Sequence, residues 1–244
     1  VDSTSSLDEL LAAVEPPGET TRSSKRKART DWRLGGRTVF RWREGLLAVA
    51  LISLGAAVLA GAALETLWRS PWTEASATAL LWIGMLVPVI WAFSRSRPVG
   101  LLRLRPLDLL YGLVLGAVLR TAQGWLAGFD GQLADFPSYT LIDGSLPALW
   151  MLTDLVGPVV VAPAIEELFF RGVLLVALYT VLRRPFGKLT AGLCAVLAST
   201  ALFVVFHALS GSLGTGQVIA LTLLGGTCGL LVVLTGRIWG ALLV

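Results

Sequence analysis

The sequence predicts an all-α protein, a polytopic transmembrane helical bundle of seven to eight helices with a disordered, basic N-terminal tail. Three observations carry this. Hydrophobic residues fill 55% of the 244 positions and charged residues 15%, with a mean hydropathy of +0.75, whereas soluble domains are about 25% charged. Several apolar runs reach the ~20 residues that cross a bilayer as a helix. These runs also lack the polar–apolar alternation of membrane β-strands, so their backbone hydrogen bonds close within helices.

Residues 1–44 read as the tail. They are rich in Ser, Thr, Glu, Pro and basic residues, with Pro16-Pro17-Gly18 and Lys25-Arg26-Lys27, and offer little to bury. The net charge is +4, and nine of the twenty Lys and Arg lie between Arg22 and Arg43. A basic segment just before a first apolar run is attracted to anionic headgroups and marks the cytoplasmic side. Membrane lipids, not nucleic acid, are therefore its expected partner. A secretory signal peptide is excluded, because the apolar run starts only after residue 45 and is too long for an h-region.

The apolar runs fall at 46–67, 76–94, 108–128, 146–163, 164–182, 189–209 and 216–234, followed by a short remnant at 238–244. Arg95, Arg97, Arg103 and Arg105 crowd the loop after the second run, while Asp130, Asp135 and Asp143 lie in the loop near 129–145. Both loops agree with a cytoplasmic N-terminus in a multi-pass protein of the plasma (inner) membrane. Trp68 and Trp72 are expected at the outer interface and Trp42 at the inner one. Continued crossing puts Arg183, Arg184 and Lys188 outside, against the positive-inside tendency. Either 146–163 is not a full span or this loop is an exception; the full span is taken here. Cys194 and Cys228 make no ligand spacing and read as buried small hydrophobes. No internal repeat is visible, which leaves an inverted-repeat transporter unsupported.

Chemistry concentrates in two runs. Charged side chains at membrane depth cost about 3 kcal/mol or more each and face a protein interior or a watered cavity. Pro163 to Arg171 holds Glu166, Glu167 and Arg171. Pro163 suits a helix start, placing both carboxylates in a first turn at the positive end of the helix dipole. Glu167 and Arg171 are four apart and share a face, whereas Glu166 is turned ~100° away. The pair neutralises itself, and Glu166 is freer to hold a water or accept a proton. The chain's one histidine, His207, ends the sixth run. Counting from the connecting loop, Glu167 and His207 sit ~22 and ~27 Å away at 1.5 Å per residue, about the same depth. Phe203, one turn earlier, packs beneath the imidazole. A lone His or a lone Glu–Arg pair is usually a packing device; two acids, a base and the histidine meeting at one depth favour a reactive or transport site. Asp154 either joins that site or bonds a neighbouring helix.

Glu166-Glu167-Leu168-Phe169-Phe170-Arg171 and Phe203-Val204-Val205-Phe206-His207 together resemble two signature motifs, E-E-x-x-x-R and F-x-x-x-H, of the CAAX protease and bacteriocin-processing (abortive-infection) family. The resemblance covers about 146–244. It implies a multi-helical intramembrane endopeptidase acting on a membrane-associated peptide or protein. By the same resemblance the candidate catalytic residues are Glu166 as general base, His207 as the group that binds or polarises a water, and Glu167 and Arg171 as supports. No cofactor is assigned; zinc is the open candidate, although one His and two acids are too few ligands to argue for it, since a catalytic zinc usually has three protein ligands. The family's third motif, a His followed four residues on by Asn, falls due at about Val244. Since 238–244 cannot span a bilayer, the protein is expected to continue. The alternatives are a non-catalytic membrane scaffold or immunity-type protein binding a membrane-protein partner, and a proton-coupled transporter.

Overall fold

The computed structural model describes residues 31–34, 39, 41–70, 72–128, 151–209 and 211–244, with only the backbone of 151–154. Residues 1–30 of the expected tail and the acidic loop near 129–145 lie outside this set. Among the described residues there is no strand, and the fold is helical throughout.

Three long helices come first: α1 (Glu44–Leu67), α2 (Thr73–Arg95) and α3 (Pro106–Ala127). Each is long and apolar enough to cross a membrane. The α1–α2 turn is held by Thr73 Oγ1, which donates to Trp68 O at 2.7 Å and accepts from Ser70 N–H at 3.0 Å. Trp68 and Trp72 are exposed there, as interfacial tryptophans are. Pro106 opens α3, where its missing N–H is no loss. Asp108 accepts the Arg105 N–H at 2.8 Å, a carboxylate placed at the positive end of the helix dipole.

The described part of the run at 146–163, residues 151–163, and the run at 164–182, expected as two spans, form one continuous helical rod. A π-helical segment, Met151–Val161, leads into α4 (Ala162–Glu167), a second π-helical segment, Leu168–Leu174, and α5 (Leu175–Leu209). Val161, Glu167, Leu168 and Leu175 at the joints all keep right-handed helical angles. Pro158 and Pro163 are accommodated because the π-helical segment flanks them, and wider turns relieve the clash that a proline ring makes with the preceding turn. Pro163 therefore does not start a helix, and Glu166 and Glu167 do not occupy a first turn.

The rod breaks instead at Gly187, whose φ of 77° is left-handed, a conformation that only glycine adopts without strain. Beyond it 188–209 runs back antiparallel. Helix α6 (Thr215–Thr235) follows, then a left-handed turn at Gly236 and the short α7 (Trp239–Leu243). The core lies where 165–179 meets α1, α2, the second arm of α5, and α6.

This rearrangement changes which residues share an end of the bundle. Arg183 donates to Leu34 O, Tyr179 Oη to Arg33 O at 3.1 Å, and Trp32 Nε1 to Gly236 O at 3.0 Å. Ile238 N–H reaches Leu101 O and Trp239 Nε1 reaches Leu102 O. The 183–188 bend thus shares an end with Arg33 and the 96–105 loop, so the apparent positive-inside exception disappears. Within the expected tail, Trp32, Val39 and Trp42 are buried against this end. Trp42 donates to Ala92 O at 3.2 Å and is enclosed by protein. Of the cysteines, both free, Cys228 is buried as expected and Cys194 is exposed on the outer surface of α5.

Candidate active site

The rod carries Glu166, Glu167 and Arg171 past the second arm of α5, which carries Phe203 and His207. Two features lock these segments together. The π-turn makes Phe170 O accept the Leu175 N–H five residues on, and the same carbonyl accepts a hydrogen bond from Ser199 Oγ at 2.9 Å. Phe170 also meets Phe203 edge-on, with ring centroids 5.3 Å apart.

Arg171 is fully buried, and its Nη1 lies 2.8 Å from Glu167 Oε1. The two charges are apposed without hydrogen-bond alignment, so Arg171 Nε, Nη1 and Nη2 and Glu167 Oε2 make no hydrogen bond to the described protein. The guanidinium carbon sits 4.3 Å from the Phe203 ring centroid, a cation–π contact of the kind strengthened by desolvation. Glu166 points elsewhere, as the 100° rotation expected: its Oε2 lies 3.8 Å from His207 Nε2, and both side chains keep partial exposure, 20% and 28%.

The imidazole is oriented from behind. Its Nδ1 lies 2.9 Å from Phe203 O, and since a carbonyl can only accept, Nδ1 carries the hydrogen. Nε2 is therefore the nitrogen turned to Glu166. A separation of 3.8 Å is too long for a direct hydrogen bond and is a distance at which a bridging water is to be sought. Phe203 packs against the imidazole with centroids 4.4 Å apart.

All four residues singled out in the sequence meet in one cluster. Asp154 lies twelve residues before Glu166 on the same rod, roughly three turns away along the axis, which removes it from the site. Sequence reasoning missed Thr200 and Gly225 near Arg171 and Ser199 on the Phe170 carbonyl. Nothing in their residue types signalled this, because the contacts arise between helices.

Zinc finds a poor donor set here. Glu166 and His207 face each other, but Glu167 is turned to Arg171, and no group of three His, Cys, Asp or Glu gathers among the described residues, fewer than a catalytic zinc site uses.

Helices of membrane-spanning length around one buried and one half-buried carboxylate, a guanidinium and an imidazole define a polytopic helical membrane protein with an ionisable site among its helices. Residues 148–244 match the model of the family described as Type II CAAX prenyl endopeptidase Rce1-like, the family that the two motifs resemble. This is a family of membrane-embedded proteases, and the matched segment contains the whole cluster. No curated protein and no solved structure matches the chain.

Proposed function

We propose that the chain is an intramembrane endopeptidase that hydrolyses a peptide bond of a membrane-associated peptide or protein by activating a water between Glu166 and His207. The observation that carries this reading is the 3.8 Å approach of Glu166 Oε2 to His207 Nε2, with Nδ1 already committed to Phe203 O.

A water between them gives one hydrogen to the Glu166 carboxylate and directs the other at the His207 Nε2 lone pair. As its oxygen attacks the amide carbon, the proton passes to Glu166. The tetrahedral intermediate collapses by breaking the C–N bond, and Glu166 returns the proton to the departing amine nitrogen, which leaves one carboxylic acid and one amine. Glu167 and Arg171 stand behind: their pairing keeps the guanidinium on Phe203, the ring against which His207 also packs.

In this reading the protein sits in the plasma membrane with its N-terminus cytoplasmic. Support comes from the shared end of the bundle, where Arg33, Arg97, Arg103, Arg105, Arg183 and Arg184 gather, as positive-inside loops do. From that end Glu166 is some seventeen residues up the rod, roughly 25 Å at 1.5 Å per residue. The site then lies toward the outer half of the membrane.

Cleavage of a quenched peptide library by purified protein in nanodiscs tests the activity. Glu166→Ala and His207→Ala are expected to abolish it while thermal melts stay within a few degrees of wild type. Well-folded wild type that cleaves nothing, or full activity in both variants, overturns the reading in favour of a scaffold.

A further inference from the structure

The Glu167–Arg171 pair leaves most of a buried guanidinium unbonded, and the protein around it holds one further buried polar atom in the same condition. Thr200 Oγ1 is enclosed and makes no hydrogen bond to the described protein. Thr200 lies one turn before Phe203, the ring on which Arg171 rests. Gly225 of α6 fixes how near the two are: a Cβ there would stand 2.9 Å from Thr200 Cγ2, 3.4 Å from Thr200 Cβ and 3.4 Å from Arg171 Nη2. Three helical segments therefore converge on one point, and the absence of a side chain at 225 lets the threonine and the guanidinium approach it together. Each group lacks what the other has, since Arg171 has donors to spare and Thr200 an oxygen that accepts. A buried guanidinium with open N–H groups is unfavourable away from water.

We infer that Thr200 is a positioning residue: its hydroxyl accepts from Arg171 Nη2, directly or across one buried water, and so completes the hydrogen bonding that holds the Glu167–Arg171 pair against Phe203 and His207. A rotation of about 120° about χ1 carries Oγ1 into the place that Cγ2 holds, while Cγ2 moves to that of the Cβ hydrogen, which brings the oxygen to the side facing Gly225 and Arg171. Gly225 is part of the same device, because any side chain there displaces Thr200 or the guanidinium.

The inference deepens the peptidase reading and rests on it for its kinetic consequence, but its structural part can be judged alone. Thr200→Val keeps shape and removes the hydroxyl; Thr200→Ser keeps the hydroxyl. If Thr200 serves Arg171, Thr200→Val lowers the melting temperature by several degrees and kcat by roughly tenfold with KM unchanged, and Thr200→Ser restores both. In an Arg171→Met background Thr200→Val then loses its effect on melting, since its partner is already gone. If the hydroxyl serves nothing, Thr200→Val is neutral or stabilising, because it replaces an unbonded buried polar atom by a methyl group, and the inference is overturned. A wild type without peptidase activity sinks the functional proposal, whereas the melting cycle still decides the hydrogen bond.

Discussion

The Phe203 ring lies 4.4 Å from the His207 imidazole and 4.3 Å from the Arg171 guanidinium carbon, centroid distances that make one aromatic side chain the common support of both basic groups. Its backbone carbonyl also fixes the imidazole through Nδ1. The side chain and the carbonyl can be separated by mutation. Phe203→Leu keeps the carbonyl and much of the volume but removes the ring contacts, which are worth about 0.5–2 kcal/mol each. The expected outcome is a loss of about 1–3 kcal/mol in stability and a fall in kcat of about tenfold or more as His207 loses its seat. Equilibrium unfolding in detergent, with peptide cleavage on the same samples, checks both. An unaltered kcat with lowered stability would confine the ring to packing.

At the opposite end of the bundle, Arg237 Nε and Nη2 reach the fully buried Asp108 carboxylate at 2.7–2.9 Å, a fork that ties the start of α3 to the turn between α6 and α7. Removing one partner of a buried pair leaves an uncompensated charge and costs about 3–5 kcal/mol. Asp108→Ala is therefore expected to destabilise strongly. The double variant Asp108→Leu with Arg237→Met should recover much of the loss, because an apolar pair of similar volume is often neutral. Thermal melts of the two proteins in the same detergent decide it; equal destabilisation in both would mean that the ion pair itself, not the orphaned charge, holds the turn.

Much of this was legible from the residues, and the reasons are physical. Hydropathy reports span length directly, so the bundle and its helices at 44–67, 73–95, 106–127 and 215–235 follow from the solvent they must match. The Glu167–Arg171 pairing follows from helical spacing, and the nearness of Glu166 to His207 follows from depth. What failed was local. Pro163 looked like a helix start because a proline opposes an α-helical interior, and no sequence pattern announced the π-turns that admit it. The burial of Trp32 and Trp42 was hidden by the polar residues around them: each aromatic anchors itself through one indole N–H to a distant carbonyl. Asp108 and Arg237 are 129 residues apart, and only the folded chain brings them together. Asp108 did carry a sign, being an acid two residues after a proline at a run's beginning, where helix starts favour carboxylates.

Gly84 of α2 sets a close crossing with α1. A Cβ at this position would fall 2.3 Å from Ala57 Cβ and 3.1 Å from Ser53 O of α1, and Ser53 Oγ donates to Gly84 O at 2.7 Å across the same contact. Membrane helices associate through such small-residue contacts, because lipid offers no hydrophobic drive to bring them together. Gly84→Val must separate α1 from α2 or distort one of them, and overpacking of this kind costs about 1–3 kcal/mol. The reacting residues stand on the rod and α5, not on α1 or α2, so surviving folded protein should cleave at near wild-type kcat. Melting together with activity per folded molecule tests the separation; a matched loss of both would show that the α1–α2 contact also shapes the site.

The arrangement of basic residues makes a prediction about sidedness that differs from two-span counting. If 151–186 crosses once, the Gly187 bend lies with Arg33 and the 96–105 loop, and the turn at 211–214 lies at the other end. A chain with Cys194 and Cys228 replaced by Ala and a single new cysteine at Arg184 or Ser212 reports this by labelling in intact cells with a membrane-impermeant maleimide. Both positions are exposed in the fold, so access is decided by the membrane. With a cytoplasmic N-terminus, the Ser212→Cys protein should label from outside and the Arg184→Cys protein only after permeabilisation. The reverse pattern would invert the whole bundle and place Glu166 and His207 nearer the cytoplasm. Labelling of both from outside would contradict the antiparallel arms of α5, whose bend at Gly187 requires that the two positions lie on opposite faces.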